Sequence, residues 1–192
     1  MNHRIIAISR QFGSGGRTIG KVLAKELGIP CYDQELITMF AKESGFSEEY
    51  IKEDSEQTRG GLFSGIFSDR VYDTPITQDI LWETQKKVIL QLAKKESCVI
   101  VGRCADHILK DANCLRVYIH ADKEKRAERI VRLYGETEHP ISTRIAEKDR
   151  SRKAYYQKYT GTAFGSAENY HIALDSGGLG LDQCVRLIRS LY

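Results

Sequence analysis

Apolar positions along the chain fall into short blocks that alternate between two kinds of pattern. Ile5-Ile6-Ala7-Ile8, bounded by Arg4 and Ser9, is an unbroken apolar run of the kind carried by a strand buried on both faces. Ile19, Val22, Leu23 and Leu27 then recur at helical spacing, and Gly28 and Pro30 end the helix they predict. Ile29 to Tyr32 predicts a second strand running into Asp33. Leu36, Ile37, Phe40 and Ala41 form the inward stripe of a helix from Gln34 to about Ser44. Ser47 is placed to cap a further helix, with Phe46 stapling onto Ile51. Thr74-Pro75 opens a helix that runs to about Lys95, with threonine capping and proline at the first helical position. Cys98-Val99-Ile100-Val101 and Leu115 to Ile119 predict the third and fourth strands. Asp122 caps a helix whose Ala127, Ile130, Val131 and Tyr134 make one face, ended by Gly135. Ser142 starts a strongly charged helix through about Tyr159. Tyr170 to Leu174 is a fifth strand ending at Asp175. Leu181 to Leu191 is the last helix, with Cys184, Val185, Ile188 and Leu191 inward. Strands alternating with helices in this way predict an α/β fold with a five-stranded parallel sheet flanked by helices.

One interval breaks the pattern. From Asp54 to Pro75, glycines and serines alternate with Leu62, Phe63, Ile66 and Phe67. A loop of that length with four large apolar residues reads either as plain surface or as a lid or partner contact, and it suits a homodimer contact or a substrate flap equally. At 192 residues the chain is predicted to be one domain with room for a small mobile subdomain. A net charge of +3 is too small to argue for nucleic acid or a membrane surface. The excess is local: Asp122 to Lys153 holds ten Lys/Arg against seven Asp/Glu, and the rest balances at nineteen of each. Aromatic residues are not interleaved with this basic block, which argues against a nucleic-acid partner. The five cysteines are odd in number and include no C-x-x-C pair, which argues against a disulfide framework or zinc site. With the first strand reached by residue 5 and no apolar run near the length of a span, the chain is predicted to be cytoplasmic, with no membrane partner.

Between the first strand and the first helix lies Gly13-Ser14-Gly15-Gly16-Arg17-Thr18. Strand, glycine loop and helix in that order form a phosphate cradle: small residues let N–H groups turn inward, and the helix N-terminus adds unpaired donors. The fit to the Gly-x-x-x-x-Gly-Lys-Ser/Thr pattern is incomplete. Arg10 stands at the first glycine, Gly16 at the lysine and Arg17 at the hydroxyl residue, with Thr18 one place late. Either Arg17 or Lys21 would replace the missing cation, and an arginine would do so bidentately. In a parallel sheet ligands collect beyond the strands' carboxyl ends. Asp33, Gly102-Arg103 and Asp175 occupy those positions after strands two, three and five. Asp33 either faces the crevice or caps the next helix, Arg103 suits a phosphate, and Asp175 reads as a turn former. Arg126, Arg129 and Arg132 share one helix side, with Arg150 and Arg152 on the next helix. These read either as a solvated face or as a closing segment that brings arginines to a transferring phosphoryl group.

Taken together, ISRQFGSGGRTIGKVLAKELGIPCYD, VIVGRCADHIL, ADKEKRAERI, RIAEKDRSR and IALDSGGLGLDQCV resemble the cytidylate kinase family, and more closely its divergent cytidylate kinase-like members. The resemblance implies a P-loop NTPase fold with a small helical lid, spanning 1–192 as a single kinase domain. It makes 34–97 the monophosphate-side helical region and 122–160 the lid. It implies transfer of the γ-phosphoryl of ATP to a pyrimidine monophosphate, CMP or dCMP, with Mg²⁺. Residue by residue, Gly13, Ser14, Gly15, Gly16, Arg17 and Thr18 would hold ATP, with Thr18 toward the metal. Asp33, Arg103 and Asp149 would bind the acceptor, and Arg17, Arg129 and Arg150 would serve the transfer, with Arg126 or Arg129 opening the lid. The chain departs from the family at the missing P-loop lysine, at Gln34 in place of a serine, at Met39 in place of an acceptor-binding arginine, and before Gly102, where no acidic residue stands. These departures leave open another small acceptor or a non-catalytic nucleotide-binding module, which would bind ATP without turnover.

Overall fold

Strand Ile5–Arg10 (β1) is apolar on both faces, and the fold uses both. In the computed structural model, which describes residues 4–48, 51, 75–135 and 139–192, Ile5 and Ala7 point into one core cluster while Ile6 and Ile8 point into the other. This is the two-residue alternation of a central strand covered on both sides. Its neighbours are Cys98–Val101 (β3) and Cys114–His120 (β4), and the edges are Cys31–Tyr32 (β2) and Ile172–Asp175 (β5). All pairs are parallel, in the order β2-β3-β1-β4-β5.

Helices Glu35–Ser44 (α2) and Pro75–Lys95 (α3), with the short Ala105–Ile108 (α4), cover the first cluster. Phe46 and Ile51 pack into that cluster as well. Helices Gly16–Leu27 (α1) and Leu181–Leu191 cover the second. Lys123–Tyr134 (α5) and Ile141–Thr160 (α6) stand at the end of the sheet where the strands finish. Ser176–Leu179 (α7) links β5 to the last helix, Leu181–Leu191 (α8). Of the helix predicted after Ser47, Glu48 and Ile51 are described and helical, the Ile51 N–H donating to the Ser47 carbonyl at 3.2 Å, while the irregular interval 54–74 lies outside the described residues.

Three predicted stripes are corrected. In α1, Val22 is exposed and Gly20 and Ala24 are buried instead. A β carbon at Gly20 would lie 2.9 Å from Val101 Cγ2, so the helix rides close on the sheet and needs no large residue there. In α8, Leu191 is exposed at the final turn. In α5, Tyr134 is 62% exposed while Arg126 is only 4% exposed. Asp122 sits at the N-cap of α5 but makes no side-chain cap bond, and α6 begins at Ile141 behind Pro140. Cys98, Cys104, Cys114 and Cys184 are buried free thiols and Cys31 is half-buried, as small core residues would be.

Candidate functional site

The glycine loop is held by contacts from α5, from α7 and from the end of β4. Gly13 and Gly15 take φ of 79° and 82°, the left-handed region that glycine enters at little cost. A β carbon at Gly13 would meet Ile130 Cδ1 at 2.7 Å, and one at Gly15 would run into the Arg129 guanidinium. Helix α5 therefore lies directly on the loop. Ser14 is buried, and its hydroxyl donates to the Gln11 and Ile119 carbonyls at 3.0 and 3.1 Å. The Ser14 carbonyl in turn accepts from the Ser176 hydroxyl at 2.5 Å and from Arg129 Nη1 at 3.1 Å. No side chain caps α1, so its first-turn N–H groups are presented with the positive end of the helix. Thr18 is exposed on that first turn. Asp175 accepts from the Gly177 N–H at 2.9 Å and caps α7, the turn-forming role expected of it.

Opposite the loop, arginines outnumber carboxylates. Arg17 forms an ion pair with Asp33, so Asp33 faces the crevice and Gln34 takes the N-cap of α2. Arg103 leaves β3 after Gly102, and its guanidinium lies 5.8 Å from the Phe40 ring centroid of α2. Its carbonyl accepts from Gln85 Nε2 at 2.9 Å, and Gln85 Oε1 accepts from the Tyr155 hydroxyl at 3.1 Å. The Arg10 guanidinium packs against Gly102. Arg152 donates to the Arg10 carbonyl at 3.1 Å and lies 5.6 Å from the Phe12 ring centroid. Ser9, Arg10, Gly102, Arg103, Arg152 and Tyr155 line a cavity of about 90 Å³, too small for a whole nucleotide and suited to one anionic group. Burial and then the Arg152 charge pull Arg10 down to about 9, with Asp33 opposing and Arg103 and Arg17 adding to the fall. The site carries surplus positive charge that an anion would relieve.

The helices α5 and α6 close over the loop by a different set of contacts from the expected one. Arg126 Nη1 donates to Asp149 Oδ2 at 2.5 Å and to the Phe12 carbonyl at 3.2 Å, while Asp149 Oδ1 accepts from the Phe12 N–H at 2.8 Å. Asp149 thus ties loop and helices together rather than facing an acceptor. Arg150, one residue on, is exposed and lines an outer groove of about 1100 Å³ between α5 and α6. The inward arginine of α6 is Arg152. Arg129 stands over Gly15 with its Nε buried and without a hydrogen-bond partner among the described residues. Burial, then Arg132, lowers its pKa. The structure brings together Gly13 to Thr18, Arg17, Asp33, Arg103 and Arg129, and leaves Arg150 out. Arg10 was missed as a site residue by sequence reasoning, and Arg152 was named only among the arginines of a solvated face or closing segment. The first stands at the carboxyl end of β1, the position that flagged Asp33 and Arg103 on their strands.

Comparison with known proteins fits this arrangement. The cytidylate kinase-like family matches the chain over residues 5–178. The chain belongs to that family. A cytidylate kinase of Archaeoglobus fulgidus is 25% identical over 185 residues, covering 95% of this chain and 91% of that protein. A cytidylate kinase of Pyrococcus horikoshii is 27% identical over 157 residues, covering 81% and 71%. Among solved structures, an uncharacterized protein from Eubacterium ventriosum matches with a TM-score of 0.73 at 30% identity over 98% of both chains. A shikimate kinase from Acinetobacter baumannii matches at 0.56 and 15% identity over 98% and 92%, a likeness of fold alone. This family member is an ATP-dependent phosphotransferase on the P-loop kinase fold. No helix among its described residues is long and apolar enough to cross a membrane.

Proposed function

We propose that this chain is a nucleoside monophosphate kinase that moves the γ-phosphoryl group of ATP onto CMP or dCMP. The observation that carries the reading is the cavity between the end of β1, the turn after β3 and α6, whose lining includes Arg10, Arg103 and Arg152 and no carboxylate. In this reading the N–H groups from Gly13 to Thr18 hold the ATP phosphates, and the two left-handed glycines and the uncapped helix suit such a ligand. Thr18, exposed on the first turn, would hold Mg²⁺, which when bound neutralises phosphate oxygens. Arg129 lies over the loop from above, and Arg103 grips the acceptor phosphate. The Arg17–Asp33 pair joins the donor loop to the acceptor side. An oxygen of the acceptor phosphate attacks the γ-phosphorus in line, and the bond to the bridging oxygen breaks, leaving ADP with the electron pair. The protein's part is alignment and charge stabilisation in a site that excludes water. Residues 34–97 then form the acceptor side and 122–160 the lid of one kinase domain.

The test is ADP release from Mg-ATP with CMP, dCMP, UMP, AMP and GMP in turn. CMP or dCMP is expected to give the highest kcat/KM, and Arg103→Ala to raise the acceptor KM at least about tenfold, the loss of a charge-assisted phosphate contact. No turnover across the panel by protein that binds ATP would overturn the reading and favour another acceptor or a nucleotide-binding module.

A further inference from the structure

The phosphate loop departs from the P-loop pattern at positions 10, 16 and 17, and the fold makes the first two into one. Position 10 carries arginine where the pattern has its first glycine, and position 16 carries glycine where the pattern has lysine. In space the two are neighbours. A β carbon built on Gly16 would lie 2.7 Å from Arg10 Cβ and 3.1 Å from Arg10 Cγ, whereas the next atom, Ile119 Cβ, is at an ordinary 3.5 Å. Gly16 lies in α1 without a positive φ, so its backbone would accept any residue. The obstruction is the root of the Arg10 side chain, which cannot swing away as a flexible tip would. A glycine at position 10 would remove it. A side chain can therefore leave the loop at position 10 or at position 16, but not at both.

We propose that Arg10 is the phosphate-binding cation of this loop, exchanged in place for the P-loop lysine, and that it holds the transferring phosphoryl group. Arg17 is engaged with Asp33, and Lys21 is exposed on α1, so neither of the substitutes suggested by the sequence stands in this space. The Arg10 guanidinium ends against Gly102, whose φ of 82° and missing side chain leave room for it. There Arg10 lines the small cavity with Arg103 and Arg152, while its Cβ and Cγ lie beside Gly16 of the glycine loop. The Arg10 carbonyl is held by Arg152 at 3.1 Å, which fixes the end of β1 from the lid helix. Its pKa of about 9, lowered by burial and by Arg152, still leaves it cationic at neutral pH. A planar guanidinium would give the phosphoryl oxygens two parallel donors where lysine gives a point charge.

The inference rests on the proposed reaction only for the name of the acceptor, and donor binding tests it separately. Native protein, Arg10→Gly, Gly16→Lys, the double variant and Arg17→Ala are compared by calorimetric binding of Mg-ATP and of inorganic triphosphate, by melting, and by turnover with the best acceptor. Arg10→Gly is expected to weaken triphosphate binding at least about tenfold and to lower kcat by about 10²–10³-fold, the usual loss for one preorganised donor. Gly16→Lys should melt below native, because its root collides with Arg10. The double variant, with glycine at 10 and lysine at 16 as in the pattern, should melt above Gly16→Lys and bind triphosphate at least about tenfold more tightly than Arg10→Gly. Three results would overturn the proposal. One is Arg10→Gly binding within about twofold of native. Another is a double variant that melts cooperatively and binds no better than Arg10→Gly. The third is a loss from Arg17→Ala as large as that from Arg10→Gly. If native protein binds Mg-ATP and phosphorylates nothing in the panel, the acceptor reading fails while the binding series still decides the role of Arg10.

Discussion

Arg103 and Cys104 hold φ of 58° and 53°, directly after Gly102 at 82°. Three successive left-handed residues turn the chain sharply off β3, and each non-glycine among them costs about 1–3 kcal/mol. Gln85, buried beneath the turn, holds the Arg103 carbonyl with its amide N–H while Tyr155 of α6 fixes the amide's other end. Gln85 is thus a positioning residue for the acceptor arginine. Gln85→Ala is expected to raise the acceptor KM about tenfold while the ATP KM stays within about twofold. Gln85→Glu, which keeps the acceptor for Tyr155 and loses the donor, should do the same. Equal losses on both substrates would show a general loosening and sink the assignment. Arg103 was legible in the sequence because a Gly-Arg step at a strand end fixes its direction. Gln85 and Tyr155 were not, because their roles depend on the phase of two helices meeting over a turn. Arg10 was legible only as a defect in a motif, since the sequence cannot say that positions 10 and 16 share one space.

Helix α6 uses one face to hold the loop: Asp149 bonds the Phe12 N–H, Arg152 the Arg10 carbonyl, and Tyr156 the buried Asp106. These positions fall on one side at the helical repeat, and Arg150, about 100° further round, falls outside it. The resemblance gave Asp149 to the acceptor and Arg150 to the transfer at one site, but successive residues on a helix point in different directions. The same cause explains α5. Apolar periodicity turns Tyr134 inward, yet the surface that α5 covers is loop backbone, which asks for a donor, and Arg126 is buried instead. Asp149→Ala strands the Arg126 charge and the Phe12 N–H, and is expected to cost about 3 kcal/mol or more in denaturant unfolding. Arg126→Met with Asp149→Leu should recover at least half of that loss, since an apolar pair replaces a buried ion pair at little cost. Simple additivity of the two single losses would show that the pair is not coupled.

Across the whole molecule, strand and helix alternation was legible from apolar runs, but the order β2-β3-β1-β4-β5 was not, because an apolar run does not name its neighbours. Nor was the polar group inside that sheet's shoulder. Asp106 of α4 is 1% exposed and accepts from the Ser9 hydroxyl of β1 at 2.9 Å and the Tyr156 hydroxyl of α6 at 2.6 Å. It links the end of the central strand to the lid helix. Burial lifts its carboxyl above the usual aspartate range, and the two hydroxyls pull back only in part. Burial and Asp106 together also push the Tyr156 hydroxyl upward, so it stays a donor. The folded chain therefore holds the Asp106 proton more tightly than the unfolded chain does. Its contribution to stability is full below the unfolded value of about 4 and is lost as the pH rises through the folded value. Asp106→Asn keeps an acceptor and removes the titration. Melting of native protein and Asp106→Asn from about pH 4 to 8 should give curves whose separation changes through that window and then levels, with native falling the more steeply. Lost hydrogen bonding alone would displace the variant by a constant amount, so parallel curves would mean that the buried carboxyl does not titrate between the folded and unfolded states.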